Sequence, residues 1–126
     1  MRLVPNKGQL ICWILINKAG TRAYTTNNGD DTVSVYDLTD PTTPAEIQTV
    51  QLKGHGHPYQ LDLDSSERFL HIIKHRTFPN TPIGDGSVLN VLKVKPDGTL
   101  EKVGSSPETL LVRDDLLARP QGVVAL

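Results

Sequence analysis

Gly20-Thr21-Arg22-Ala23-Tyr24-Thr25-Thr26-Asn27, then Asn28-Gly29-Asp30-Asp31, then Thr32-Val33-Ser34-Val35-Tyr36-Asp37-Leu38 is the stretch that decides the fold. Two runs rich in β-branched and aromatic residues flank a cluster of Asn, Gly and Asp that suits a tight turn, which predicts two antiparallel strands. The same rhythm continues in both directions. Strands are predicted over residues 10–16, 22–26, 32–38, 46–52, 59–63, 68–75, 88–94, 100–103 and 122–126. Lys18-Ala19-Gly20-Thr21 and Asp64-Ser65-Ser66-Glu67 read as tight polar connections. In Lys95-Pro96-Asp97-Gly98 the proline presets one backbone angle and the glycine supplies a positive φ, so this segment reads as a hairpin turn. Only residues 107–117, behind a capping Ser106, carry a helical pattern.

The chain repeats. Asn17-Lys18-Ala19-Gly20-Thr21-Arg22 aligns with Leu63-Asp64-Ser65-Ser66-Glu67-Arg68 at an offset of 46. Val33-Ser34-Val35-Tyr36-Asp37-Leu38 aligns with Leu89-Asn90-Val91-Leu92-Lys93-Val94 at 56, because residues 78–86 lengthen the second copy's loop. Four short strands in about 45 to 60 residues is the dimension of one β-propeller blade. The expected architecture is therefore all-β: a single partial propeller domain over residues 1–126. Blade one covers about 9–53 and blade two about 58–104. A terminal segment and the first strand of a third blade cover 105–126.

At this point the chain resembles a known family. The strand ending in Asn27, followed by Val33-Ser34-Val35-Tyr36-Asp37, is similar to a YVTN-type blade. Cys12-Trp13-Ile14 before Asn17-Lys18-Ala19-Gly20-Thr21, together with Asp64-Ser65-Ser66-Glu67-Arg68-Phe69-Leu70, is similar to the last blades of lactonase-type propellers, which include carboxymuconate cyclases and 6-phosphogluconolactonases. The resemblance runs from about Val4 to Leu126. It implies a ring of seven blades, of which this chain would supply the C-terminal two and an opening strand. Apolar blade faces would then be left for remaining blades, or for self-association, to cover.

Composition narrows the partners. The 126 residues carry 13 basic and 14 acidic side chains, and no window gathers Lys and Arg into the stripe that a phosphate backbone requires, so nucleic acid is not an expected partner. The apolar run at residues 10–16 is far shorter than the roughly 20 residues of a membrane span, and no signal-peptide cleavage pattern follows it. Cys12, the single cysteine, cannot make an internal disulfide and is expected to be a buried small residue in that run. No Gly-x-Ser-x-Gly, Gly-x-Gly-x-x-Gly, phosphate-loop or His-Glu-x-x-His motif occurs, and no cofactor is expected.

In a blade meander, the connection entering strand one and the connection between strands two and three emerge on one rim, so candidate chemistry is sought there. The rim candidates are His57, His75, Arg76 and Arg119. An arginine can hold a carboxylate or phosphate bidentately, and a histidine can exchange protons during lactone opening or closure. The structural alternative has His75 capping a strand edge and the arginines paired with Asp114, Asp115 or solvent. His55 and His57 form a His-x-His pair, but no third metal ligand stands at a diagnostic spacing, and no metal is expected. Asp30 and Asp31 are explained by turn formation, His71 by blade packing, and Asp62 with Asp64 by the polar side of a strand. Nothing resembles a calcium loop.

Two functions follow from different premises. Taken with the resemblance, the rim residues imply an enzyme part that hydrolyses or forms a lactone of a small anionic sugar acid or muconate. Without it, the chain reads as a non-catalytic binding or scaffold module, or a truncated remnant, since a fold does not dictate a function.

Overall fold

The computed structural model describes residues 3–75, 87–104, 106–110 and 122–126. Their secondary structure is all strand, with no helix among the described residues. The first sheet is the antiparallel meander β1 (Ile11–Ile16), β2 (Arg22–Asn27), β3 (Thr32–Asp37) and β4 (Ala45–Gln51). The second runs through β5 (His57–Leu63), β6 (Phe69–His75), β7 (Val88–Val94) and β8 (Leu100–Lys102), and β9 (Glu108–Thr109) pairs with the far end of β7. Each is a four-stranded path of the propeller-blade kind. The helical pattern at 107–117 is overturned where it begins, because Glu108 and Thr109 extend the outer edge of the second sheet; residues 111–117 lie outside the described residues.

The two copies correspond, but one residue away from the expected alignment. The Asn17 side chain accepts from the Thr21 and Arg22 amides at 2.8 and 3.0 Å, and Gly20 turns the chain with φ +69°. In the second copy Asp64 accepts from the Arg68 and Phe69 amides, both at 2.8 Å, and Glu67 has φ +55°. Asn17 is thus the counterpart of Asp64, an offset of 47 rather than 46, while the third strands keep 56. Strand pairing agrees: Tyr24 faces Val35, as His71 faces Val91. A one-residue slip exchanges the two faces of a strand, so the correction decides which side chains play equivalent parts. Both copies carry a β-bulge in the same place, between Ile11 and Trp13 and between Pro58 and Leu61.

The core lies between the sheets. Leu15, Tyr24, Val33, Val35, Val50 and Leu52 from the first pack against Leu61, Leu63, Leu70, Ile72, Leu92 and Leu100 from the second. Polar contacts fix the spacing. The Tyr24 hydroxyl donates to the Gly98 carbonyl at 3.0 Å, and Thr26 Oγ1 donates to the Tyr59 carbonyl at 2.7 Å. The Gln48 amide donates to the Leu100 carbonyl and accepts from its amide, at 2.9 and 2.7 Å.

The outer faces are treated differently. Ile14 and Ile16 are 61% and 53% exposed, whereas their counterparts Leu61 and Leu63 are 1% and 9% exposed against the first sheet. Above this apolar stripe, residues 3–9 cross the first sheet. Asn6 donates to Asn27 Oδ1 and accepts from Ser34 Oγ, both at 3.0 Å. At the other end, residues 122–126 run along β5, with Val123 and Ala125 donating to the Gln60 and Asp62 side chains. Residues 122–126 form no ladder, contrary to the strand expected there, because they meet side chains of β5 and have no backbone partner among the described residues. Leu70 is fully buried at the junction, so Leu70→Ala should lower unfolding free energy by about 3 kcal/mol in a denaturant titration. A loss below about 1 kcal/mol would show that the contact between sheets is not where the stability resides.

Candidate functional site

Three pieces of chain meet at one rim: the β2–β3 turn, the connection from β4 to β5, and the end of β6. His57 opens β5 and His75 closes β6, and the two are direct cross-strand partners. Both line a cavity of about 370 Å3 that is also walled by Tyr59, Asn28, Cys12 and Leu10. The Tyr59 ring sits 5.0 Å from the His75 ring, tilted by 60°, and 6.2 Å from the Trp13 ring. The wall is thereby partly aromatic. Asn28 is held by donating its side-chain amide to the Pro58 carbonyl at 3.2 Å.

His57 is oriented from the neighbouring sheet. Its Nδ1 lies 3.0 Å from Asp31 Oδ1. An ionised carboxylate can only accept, so Nδ1 carries the proton, and in the neutral ring Nε2 keeps its lone pair. Asp31 itself is fixed: its φ is +59°, and its carbonyl accepts from the Leu52 amide at 2.9 Å and from Gln51 Nε2 at 3.1 Å. Its other oxygen is 3.8 Å from Nζ of Lys74, whose side chain is fully buried. Burial pulls the Lys74 pKa below the usual lysine range, while Asp31 opposes that shift. Lys74 also donates to the Gly54 carbonyl at 2.6 Å.

Two of the four expected site residues, His57 and His75, are thus brought together, while Arg76 and Arg119 lie outside the described residues. His55 is exposed on its loop and does not line the cavity, and no cluster of three or more metal-ligating side chains occurs among the described residues. Asp31, expected only to shape a turn, reaches across to His57. Lys74 was not singled out by the sequence reading, although a lysine inside Leu70-His71-Ile72-Ile73-Lys74 is itself a signal. Cys12 is exposed rather than buried: it sits at the β-bulge between Ile11 and Trp13 and looks onto the open cavity it shares with His57 and Tyr59. A second cleft of about 520 Å3 opens at the opposite end, between Arg22, Arg68, Lys93 and Lys95, but its acids Glu67 and Asp97 are engaged by the Lys18 and Thr99 amides.

No protein-family model and no curated protein matches the chain. Solved structures do. A Bacteroides fragilis protein described as a candidate 6-phosphogluconolactonase superposes with a TM-score of 0.67 at 22% identity, over 84% of this chain and 28% of its own. A hypothetical selenium-binding protein of Sulfolobus tokodaii superposes with a TM-score of 0.64 at 21% identity, over 76% of this chain and 25% of its own. The chain thus has a lactonase-like fold and spans about a quarter of the length of each neighbour.

Partial desolvation pushes the Cys12 thiol above the ordinary cysteine range. A raised pKa leaves less thiolate at neutral pH, so iodoacetamide should label Cys12 in the folded protein without denaturant, more slowly than free cysteine, and faster as the solution is made alkaline. Mass spectrometry reads the labelling. Labelling only after denaturation would contradict the placement of Cys12 on the cavity wall.

Proposed function

We propose that the rim cavity is one sector of a site that opens or closes a lactone of a small anionic sugar acid or muconate, with His57 as the proton-exchanging group. The observation that carries this reading is the His57–Asp31 pair at 3.0 Å, on the wall of a cavity large enough for a small ligand. In the hydrolytic direction, His57 Nε2 takes a proton from water as its oxygen attacks the lactone carbonyl. The ring C–O bond then breaks, and the leaving oxygen recovers a proton to become a hydroxyl. His75 and Tyr59 shape the wall. Arg76 and Arg119 supply the charge that holds the substrate's carboxylate or phosphate.

The lactonase-like fold, with a neighbour described as a candidate 6-phosphogluconolactonase, supports the substrate class. Exposed Ile14 and Ile16 support completion of the site by further blades, either those of a longer propeller or those of a second copy. Light scattering first defines the assembled species, which is then assayed on a phosphorylated aldonolactone and on a muconolactone. His57→Gln should lower kcat by on the order of 10²-fold with KM little changed. Arg76→Ala and Arg119→Ala should mainly raise KM. If wild type and His57→Gln turn over lactones equally, His57 has no part in the chemistry. Saturable binding of either lactone with no turnover would assign the cavity to a binding module instead.

A further inference from the structure

The two copies within the chain form an internal control for one residue of the rim. Through the corrected offset of 47, Lys74 is the counterpart of Asn27 and His57 the counterpart of Leu10. The pairing partners confirm it: Pro58 faces Lys74 as Ile11 faces Asn27. In the first copy the position is filled by a buried neutral amide, which donates to Thr32 Oγ1 and Ser34 Oγ, both at 2.9 Å. A polar side chain there is accommodated within its own sheet without any charge. In the second copy the same position carries an ammonium with no exposed side-chain surface.

Burying that charge is costly unless partners offset it, and a neutral amide would avoid the cost. The costlier residue accompanies the histidine. Its two partners are the pieces that set His57. One is the Gly54 carbonyl at 2.6 Å, three residues before His57 on the same loop. The other is Asp31 Oδ2 at 3.8 Å, on the carboxylate whose second oxygen holds His57 Nδ1.

We infer that Lys74 is a positioning residue, whose buried ammonium pins Asp31 and the loop from Gly54 so that His57 is held as the Nδ1–H tautomer with Nε2 free for the cavity. Lys74 touches no ligand; it acts through Asp31. The inference rests on the reading of His57 as the proton-exchanging group, but its principal readout needs no substrate.

The test is the tautomer of neutral His57, read from the ring nitrogen shifts in long-range 1H–15N spectra of the whole chain, in buffer only alkaline enough to leave the ring neutral while Lys74 keeps its charge. Wild type should show Nδ1–H. Lys74→Asn, which restores the amide of the first copy, should keep the melting transition and shift His57 several-fold toward Nε2–H, as should Asp31→Asn. Lys74→Gln, with more reach toward the Gly54 carbonyl, is the second variant should Lys74→Asn not fold. In an active assembly, kcat should fall in Lys74→Asn while KM is kept. A folded Lys74→Asn or Lys74→Gln whose His57 remains Nδ1–H overturns the inference, and so does a wild-type His57 protonated on Nε2. If the tautomer shifts but lactones are never turned over, the positioning role stands and the lactone reading fails. If His57→Gln loses activity while Lys74→Asn leaves the tautomer in place, the lactone reading stands and this inference fails.

Discussion

A four-stranded antiparallel sheet with one apolar face cannot hide that face by itself, and everything else in this chain follows from how the two sheets solve the problem together. Leu70 and Ile72 are buried in one cluster with Tyr24, Val33 and Val35 of the first sheet. That contact sets the distance between the β2–β3 turn of one sheet and the first residue of the next. The His57–Asp31 pair spans this distance, so the rim chemistry depends on the apolar junction beneath it. The pair is held by packing that neither sheet could supply alone.

Much of the fold was legible in the sequence. Turn chemistry around Gly20, Asp64 and Pro96-Asp97-Gly98, with β-branched runs between, located eight strands to within a few residues. The face each side chain occupies was not legible, because aligning the copies by their matching arginines placed Arg22 on Arg68. The hydrogen-bonded turns place Arg22 on Phe69, since Asn17 and Asp64 perform the same capping task with different side chains. Cys12 was misjudged for a related reason. An apolar run implies burial only when a second surface packs closely against it; Ile14 stays 61% exposed, and Cys12 meets an open cavity.

The geometry of the rim was legible in part. His57 and His75 could be placed from loop topology, because both belong to connections that emerge on one rim. Asp31 could not. A turn-forming role explains an aspartate after Asn-Gly-Asp completely, and its reach toward another sheet is a tertiary fact. Lys74 stood in plain sight as a charge inside an apolar strand. Its meaning needed the corrected register, which revealed that the first copy manages with Asn27.

The bulge shared by both copies bears on how likeness can be detected. It falls in the same place in β1 and β5, although the residues there, Ile11-Cys12-Trp13 in one and Pro58-Tyr59-Gln60-Leu61 in the other, have nothing in common as letters. What the two halves share is a bend in the backbone, and many different side chains can occupy that bend. Shape in such a chain is kept while its spelling differs, so a comparison of outlines finds likenesses that a comparison of alphabets passes over.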